Sequence, residues 1–328
     1  MKRVPRLGLL TPVLLALGCF APPFYEQSYL RASHNWEFRT HYRNADNLLN
    51  AFDYGHAILY ETLLTRPKTA GDALDDEQFH FITQSLLVKP PSVPLDEAAV
   101  GPRYVQLIPE VREMFDWAHL LHRQIYDIWA DSRIPLADKD SRVTAVLRYY
   151  KSRKDLAFSS RPKSMALMEG QPYSLAFRRL APTFNGLIWS YHWMQMALYD
   201  GMIVAATDQE RAANVADVIS RFRSMHAGTP AHMPTLMPMT AAVAPRFAAR
   251  YQETSIIFDN LHSLHDVVSD ILTSPVVPQA KKRDAILRAA AAYRDDTTAT
   301  TTVAEWRDMA TSMGVNRMGG VAMPRLPQ

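Results

Sequence analysis

Residues 186–206, GLIWSYHWMQMALYDGMIVAA, are apolar on every face that a helix would present. Such a helix must be wrapped on all sides, inside a large protein or inside a membrane. Ser190, His192, Gln195 and Asp200 lie within it, and polar groups of this kind are costly in lipid. A buried central helix is therefore expected. The rest of the chain supplies its wrapping. Phe38, Tyr42, Ala45, Leu49, Phe52, Leu59 and Leu63 recur at helical period between about Ser33 and Thr65. Further helices are expected from Glu110 to Ser132, from Asp138 or Asp140 to Tyr150, over 208–225, from Arg246 to Leu272, over 280–295 and after Val303. No stretch alternates with the period of a strand. Twelve glycines are few and 22 prolines are many. The prolines gather between the helices, in 66–102 and at Pro162, Pro172 and Pro182, with a short helix expected at 74–87. The expected fold is all-α: an irregular helical bundle with long proline-marked loops.

One eight-residue pattern is written twice, as FDWAHLLH (115–122) and FDNLHSLH (258–265). The windows 115–129 and 258–272 match at seven of fifteen positions. FDYGHAILYE, from Phe52, is a weaker third copy. His192 aligns with His119, and Asp200 with Asp127, but Trp189 replaces the first aspartate. The pattern suggests an internal duplication of one long helix, with halves of about 33–155 and 186–295. At 100° per residue, His122 and His265 point into the apolar arc of their helices. His119 and His262 lie on its shoulder, and Asp116, Asp127, Asp259 and Asp270 fall on the polar side. In the first helix His56 sits within the apolar stripe.

Two readings of the pattern stay open. In one, an aspartate a turn away orients each imidazole in a crowded core. In the other, several helices bring carboxylates and imidazoles to a transition metal. The candidate ligands are then His56, His119, His122, His262 and His265, with Asp116 and Asp259 as carboxylate ligands or supports. FDxxH resembles the carboxylate-x-x-His spacing of di-iron carboxylate bundles, although that family uses Glu. The spacings His122–Asp127 and His265–Asp270 resemble haemerythrin-like bundles, whose remaining ligand pattern is missing here. These resemblances imply iron; copper, and haem held between His122 and His265, are the other cofactors considered. A methionine-rich connector (Met225, Met233, Met237, Met239) offers thioethers, either for copper(I) or for flexible packing. His34, Glu37 and His41 are expected on a solvated face.

The N-terminus bears on location. MKRVPR is basic, GLLTPVLLALG is apolar, and the run ends on Cys19, the only cysteine of the chain. LALGC resembles a bacterial lipoprotein signal. That implies cleavage before Cys19, lipidation of its thiol and a membrane-anchored, extracytoplasmic mature chain. An uncleaved anchor over 7–24 is the rival. A mature chain without cysteine excludes disulfides, thiolate metal sites and cysteine nucleophiles. Residues 20–32 are expected as a tether, 33–310 as one helical domain and 311–328 as an irregular tail. A net charge of +3, with no long basic run, argues against nucleic-acid binding. No catalytic motif is recognisable.

The first functional expectation is an accessory or scaffold subunit of a membrane complex, whether respiratory, photosynthetic or transport. It has protein partners and no catalytic residues. Six tryptophans with many tyrosines and methionines suit an interface. The alternative is a transition-metal or haem-binding bundle with a redox or oxygen-handling role.

Overall fold

The computed structural model describes residues 24–66, 71–94, 96–227 and 233–313. The expected signal segment with Cys19, the first residues of the tether and the tail beyond residue 313 lie outside the described residues. Among the described residues every regular element is a helix, apart from an isolated bridge between Lys163 and Thr300. The fold is all-α, as expected.

Its frame is a device used four times: a short helix, one non-helical residue, then a long helix. Helix α1 (Glu37–His41) precedes α2 (Arg43–Thr65), and α3 (Pro102–Leu107) precedes α4 (Pro109–Ala130). Likewise α5 (Ala176–Leu180) precedes α6 (Pro182–Ile203), and α7 (Pro245–Arg250) precedes α8 (Gln252–Thr273). The four hinge residues have closely similar dihedrals. Tyr42 has φ −126° and ψ 48°, Ile108 −137° and 56°, Ala181 −142° and 71°, and Tyr251 −128° and 56°. The helices expected to run unbroken from Ser33 and from Arg246 are thus each interrupted once. The apolar stripe passes through the interruption because both pieces bury the same side: Phe38 and Phe52, Phe247 and Phe258.

Each short helix begins on a carboxylate borrowed from another long helix. Asp127 of α4 accepts the Trp36 and Phe38 N–H groups, and Glu61 of α2 accepts those of Arg103 and Tyr104. Asp270 of α8 accepts Leu175 and Phe177 N–H, and Asp200 of α6 accepts Arg246 and Phe247 N–H. The loans are reciprocal within α2/α4 and within α6/α8. Trp36 and Leu175 are left-handed, with φ of 70° and 64°. That costs an L-residue roughly 1–2 kcal/mol. Bonds to a charged acceptor are worth roughly 1.5–3 kcal/mol each, so the two captured N–H groups outweigh the strain. Burial pushes Asp200 and Asp270 up, Asp270 to about 6, while the backbone donors oppose the shift.

The far ends of α4 and α8 are closed alike. Lys139 Nζ donates to the carbonyls of Ile128 and Asp131, and Lys282 Nζ to those of Ile271, Leu272 and Ser274. A cation on orphan carbonyls at a helix C-terminus suits the helix dipole. Burial lowers both ammonium groups to about 8.

These correspondences show the arrangement of α1–α4 again in α5–α8. The segment 159–185, expected to be irregular, contains α5 and the helix Met165–Glu169. Helix α6 is buried from Phe184 to Met202 and packs against α2, α4, α7 and the helix Asp208–His226. No helix among the described residues is long and apolar enough to cross a membrane. Gly186 admits the connector after residue 232: a Cβ there would lie 3.2 Å from Met233 Cβ and from the Pro234 carbonyl. The four connector methionines are buried in the common core. His34 is buried too, rather than on a solvated face, and burial lowers it to about 4.

Candidate metal centre

The hinge residues give a common register. Eleven residues after them stand Asp53, His119, His192 and His262. Fourteen after stand His56, His122, Gln195 and His265. Nineteen after stand the capping carboxylates Glu61, Asp127, Asp200 and Asp270. Eight equivalent positions therefore carry six histidines, one aspartate and one glutamine. FDYGH pairs with FDWAH by letters, yet the register equates His56 with His122, three residues away from the match by eye.

All six histidines are buried in the middle of α2, α4, α6 and α8, none more than 3% exposed. Their rings touch. Centroids lie 4.2 Å apart for His56 and His265, 5.1 Å for His56 and His192, and 4.3 Å for His192 and His262. His192 Nε2 is 3.3 Å from His265 Nδ1. Each of His56, His192 and His265 can offer one ring nitrogen such that all three lie within 4.8 Å of one another.

Hydrogen bonds fix where several lone pairs point. The Ile188 carbonyl, 2.9 Å from His192 Nδ1, can only accept, so that nitrogen carries the proton and Nε2 the lone pair. His262 Nε2 donates to Gln195 Oε1 at 3.0 Å, leaving Nδ1 bare. Tyr126 Oη donates to the Gln195 carbonyl, and His122 Nδ1 and Tyr199 Oη are hydrogen-bonded at 2.6 Å. His119 Nδ1 faces Asp53 Oδ1 at 3.8 Å. His122 Nε2, His119 Nε2, His262 Nδ1, His265 Nε2 and both nitrogens of His56 are buried without a hydrogen-bond partner.

Electrostatics keep the cluster neutral. Burial lowers all six imidazoles, His192 to about 3, and neighbouring imidazoles push most of them further down. The neutral rings face one another, and five of the six carry a buried ring nitrogen without a hydrogen-bond partner. Beside the triad lies a cavity of about 10 Å³, lined by His56, His192, His265, Asn185, Trp189 and Asp266. Asp266 Oδ2 is buried there without a partner.

The expected ligands are brought together in part. His56, His119, His122, His262 and His265 all reach the cluster. Asp116 and Asp259 do not act on it. Asp116 pairs with Arg112 at 3.0 Å, and burial with nearby carboxylates holds it up at about 7. Asp259 accepts from Thr240 N, Thr240 Oγ1 and Trp306 Nε1, which fills its carboxylate. Both are buried rather than solvated, because the outer helices cover the second side of α4 and α8. His192, which is not among the expected ligands, joins them. Its alignment with His119 was the available signal, and the missing aspartate hid it. Gln195 and Asp53 brace their neighbours. Arg123 holds Asp53 (3.1 Å) and Asp46 (2.7 Å).

Comparison with known protein families, curated proteins and solved structures found no match for this chain.

Proposed function

We propose that the protein binds a transition-metal ion in the core of its bundle, through His56, His192 and His265, for a redox or oxygen-handling role. The observation that carries this reading is the convergence of ring nitrogens from three buried histidines on three helices within 4.8 Å of one another, with both nitrogens of His56 and Nε2 of His265 left without a hydrogen-bond partner. Nitrogens bound about 2.0–2.1 Å from one tetrahedral ion stand roughly 3.3–3.4 Å apart. The His192–His265 separation of 3.3 Å already matches that edge. Imidazole donors suit iron, copper and zinc. Three protein nitrogens leave a coordination position open, and the adjoining 10 Å³ cavity holds about one water-sized ligand. Open positions belong to reactive sites rather than closed structural ones.

A bare ion is favoured over haem. Phe258 stacks on His122 with centroids 3.4 Å apart and fills the space that a macrocycle would need. The metal reading is also favoured over a purely structural pairing of Asp with His, because the two motif aspartates serve other partners. Lipid anchoring through Cys19 outside the cytoplasm, on a membrane complex or alone, is compatible with this role. The test is metal loading of the chelator-stripped protein, followed by X-ray absorption. About three imidazole nitrogens near 2.0–2.1 Å support the reading, and absence of tight binding rejects it.

A further inference from the structure

We infer that the cavity beside the His56 triad seats one protic oxygen ligand of the ion, of the class of water, hydroxide or hydroperoxide, gripped by Trp189 and Asp266, an inference that rests on the metal-centre reading above. The cavity measures about 10 Å³, which suits a single water-sized molecule. All three triad histidines line it, together with Trp189 and Asp266. Trp189 Nε1 and Asp266 Oδ2 are both buried without a hydrogen-bond partner. Buried polar atoms are ordinarily bonded, so two orphans on the lining of one small cavity call for an occupant. A metal ion answers the bare nitrogens of His56 and His265. It does not answer Trp189, because an indole N–H is a donor only and needs an acceptor atom.

One oxygen atom satisfies both demands: it coordinates the ion and accepts the indole hydrogen bond. Asp266 then takes the ligand's own hydrogen, which gives the occupant the two to four polar partners that a buried water needs. A ligand that must offer a lone pair and a hydrogen is protic, and the cavity volume admits no organic substrate. Both residues ride on the helices that carry the triad. Trp189 lies one turn before His192 on α6, its ring 5.1 Å from the imidazole, and Asp266 directly follows His265 on α8. Neither belongs to the repeat. Where α6 has Trp189, the same hinge register gives Asn50, Asp116 and Asp259; where α8 has Asp266, it gives Ala57, Arg123 and Met196. The two helices thus depart from their counterparts at the two residues that face the ligand.

The test uses the full chain in detergent, stripped with chelator and loaded with Co(II), with bound metal counted before each spectrum. In water enriched in oxygen-17 the electron paramagnetic resonance signal of the loaded wild type is expected to broaden, which reports a directly bound solvent oxygen. Fluoride, a water-sized acceptor without a hydrogen, is then titrated against the visible Co(II) bands. Trp189→Phe is expected to keep its ion and to bind fluoride about tenfold more weakly or worse, the scale of one hydrogen bond to a charged group. Asp266→Asn is expected to keep its ion and to bind fluoride more tightly, since an acceptor facing an acceptor is removed. A loaded wild type without broadening overturns the oxygen ligand and leaves the metal reading intact. A loaded variant with wild-type fluoride affinity, or a wild type that binds none, overturns the roles of Trp189 and Asp266. The wild-type spectrum stands even where a variant misfolds. No bound ion overturns both readings.

Discussion

His192 Nε2 faces His265 Nδ1 at 3.3 Å between α6 and α8, and the Ile188 carbonyl fixes the proton of His192 on the other side of its ring. The 3.3 Å contact is then an N–H···N bond donated by His265 Nδ1, and an ion bound at this pair would take the place of that proton. Burial of the pair also sets a pH dependence. A proton competes with metal only below the pKa of the ligand. Desolvation holds these histidines below 6.5, His192 at about 3. Competition therefore begins well below the pH at which an exposed histidine site would release its metal. We expect the metal to be retained at pH 6 and lost only on stronger acidification. Release with a midpoint near 6.5, measured by equilibrium dialysis, would contradict burial of the site.

His122 Nδ1 lies 2.6 Å from Tyr199 Oη in the buried core. Tyr199→Phe removes that partner and strands the ring nitrogen, which costs roughly 1–3 kcal/mol. The expected result is a destabilisation of that order with the helical fold intact. Urea denaturation measures it, and wild-type stability in the variant argues that Tyr199 only packs.

Reciprocal capping makes a stability prediction. Asp270→Ala strands the Leu175 and Phe177 N–H groups and leaves the left-handed Leu175 uncompensated. A lost cap costs about 0.5–2 kcal/mol, and buried orphan donors cost more, so a loss of about 2–4 kcal/mol is expected. Urea denaturation reads it, and an unchanged midpoint would show that the carboxylate is dispensable.

Arg123 joins Asp46, Asn50 and Asp53 in one buried network. Removing one partner of a buried ion pair typically costs about 3–5 kcal/mol. Arg123→Met is expected to destabilise by that order and to loosen His119 through Asp53. A thermal midpoint within a degree of wild type would refute the network's role.

At the N-terminus, Cys19→Ser is expected to move the protein from the membrane fraction to the soluble one and to abolish labelling with a fatty-acid analogue. Membrane association that survives the substitution would favour an uncleaved anchor.

The helices were legible because stripes such as Phe38–Leu63 and the all-apolar 186–206 carry their period in the letters. The hinges were not. A single non-helical residue such as Tyr42 or Tyr251 leaves the stripe unbroken and has no proline or glycine to mark it. Without the hinges the register is lost: the letters alone equate His56 with His119 rather than with His122 and set His192 and Gln195 apart. The motif aspartates misled for a related reason. Asp116 and Asp259 sit on the face that a wheel assigns to solvent, and only the packing of outer helices shows that Arg112, Thr240 and Trp306 claim them. The repeated histidines, by contrast, marked the bundle centre from sequence alone.

The most direct test of the metal centre is the metal content of the protein purified from its native host without chelators, beside the His192→Ala/His265→Ala double variant. The account predicts at least one iron, copper, manganese or zinc ion per wild-type chain, and its loss from a variant that remains helical. A folded wild-type protein free of metal, or a variant that keeps its full complement, would contradict it.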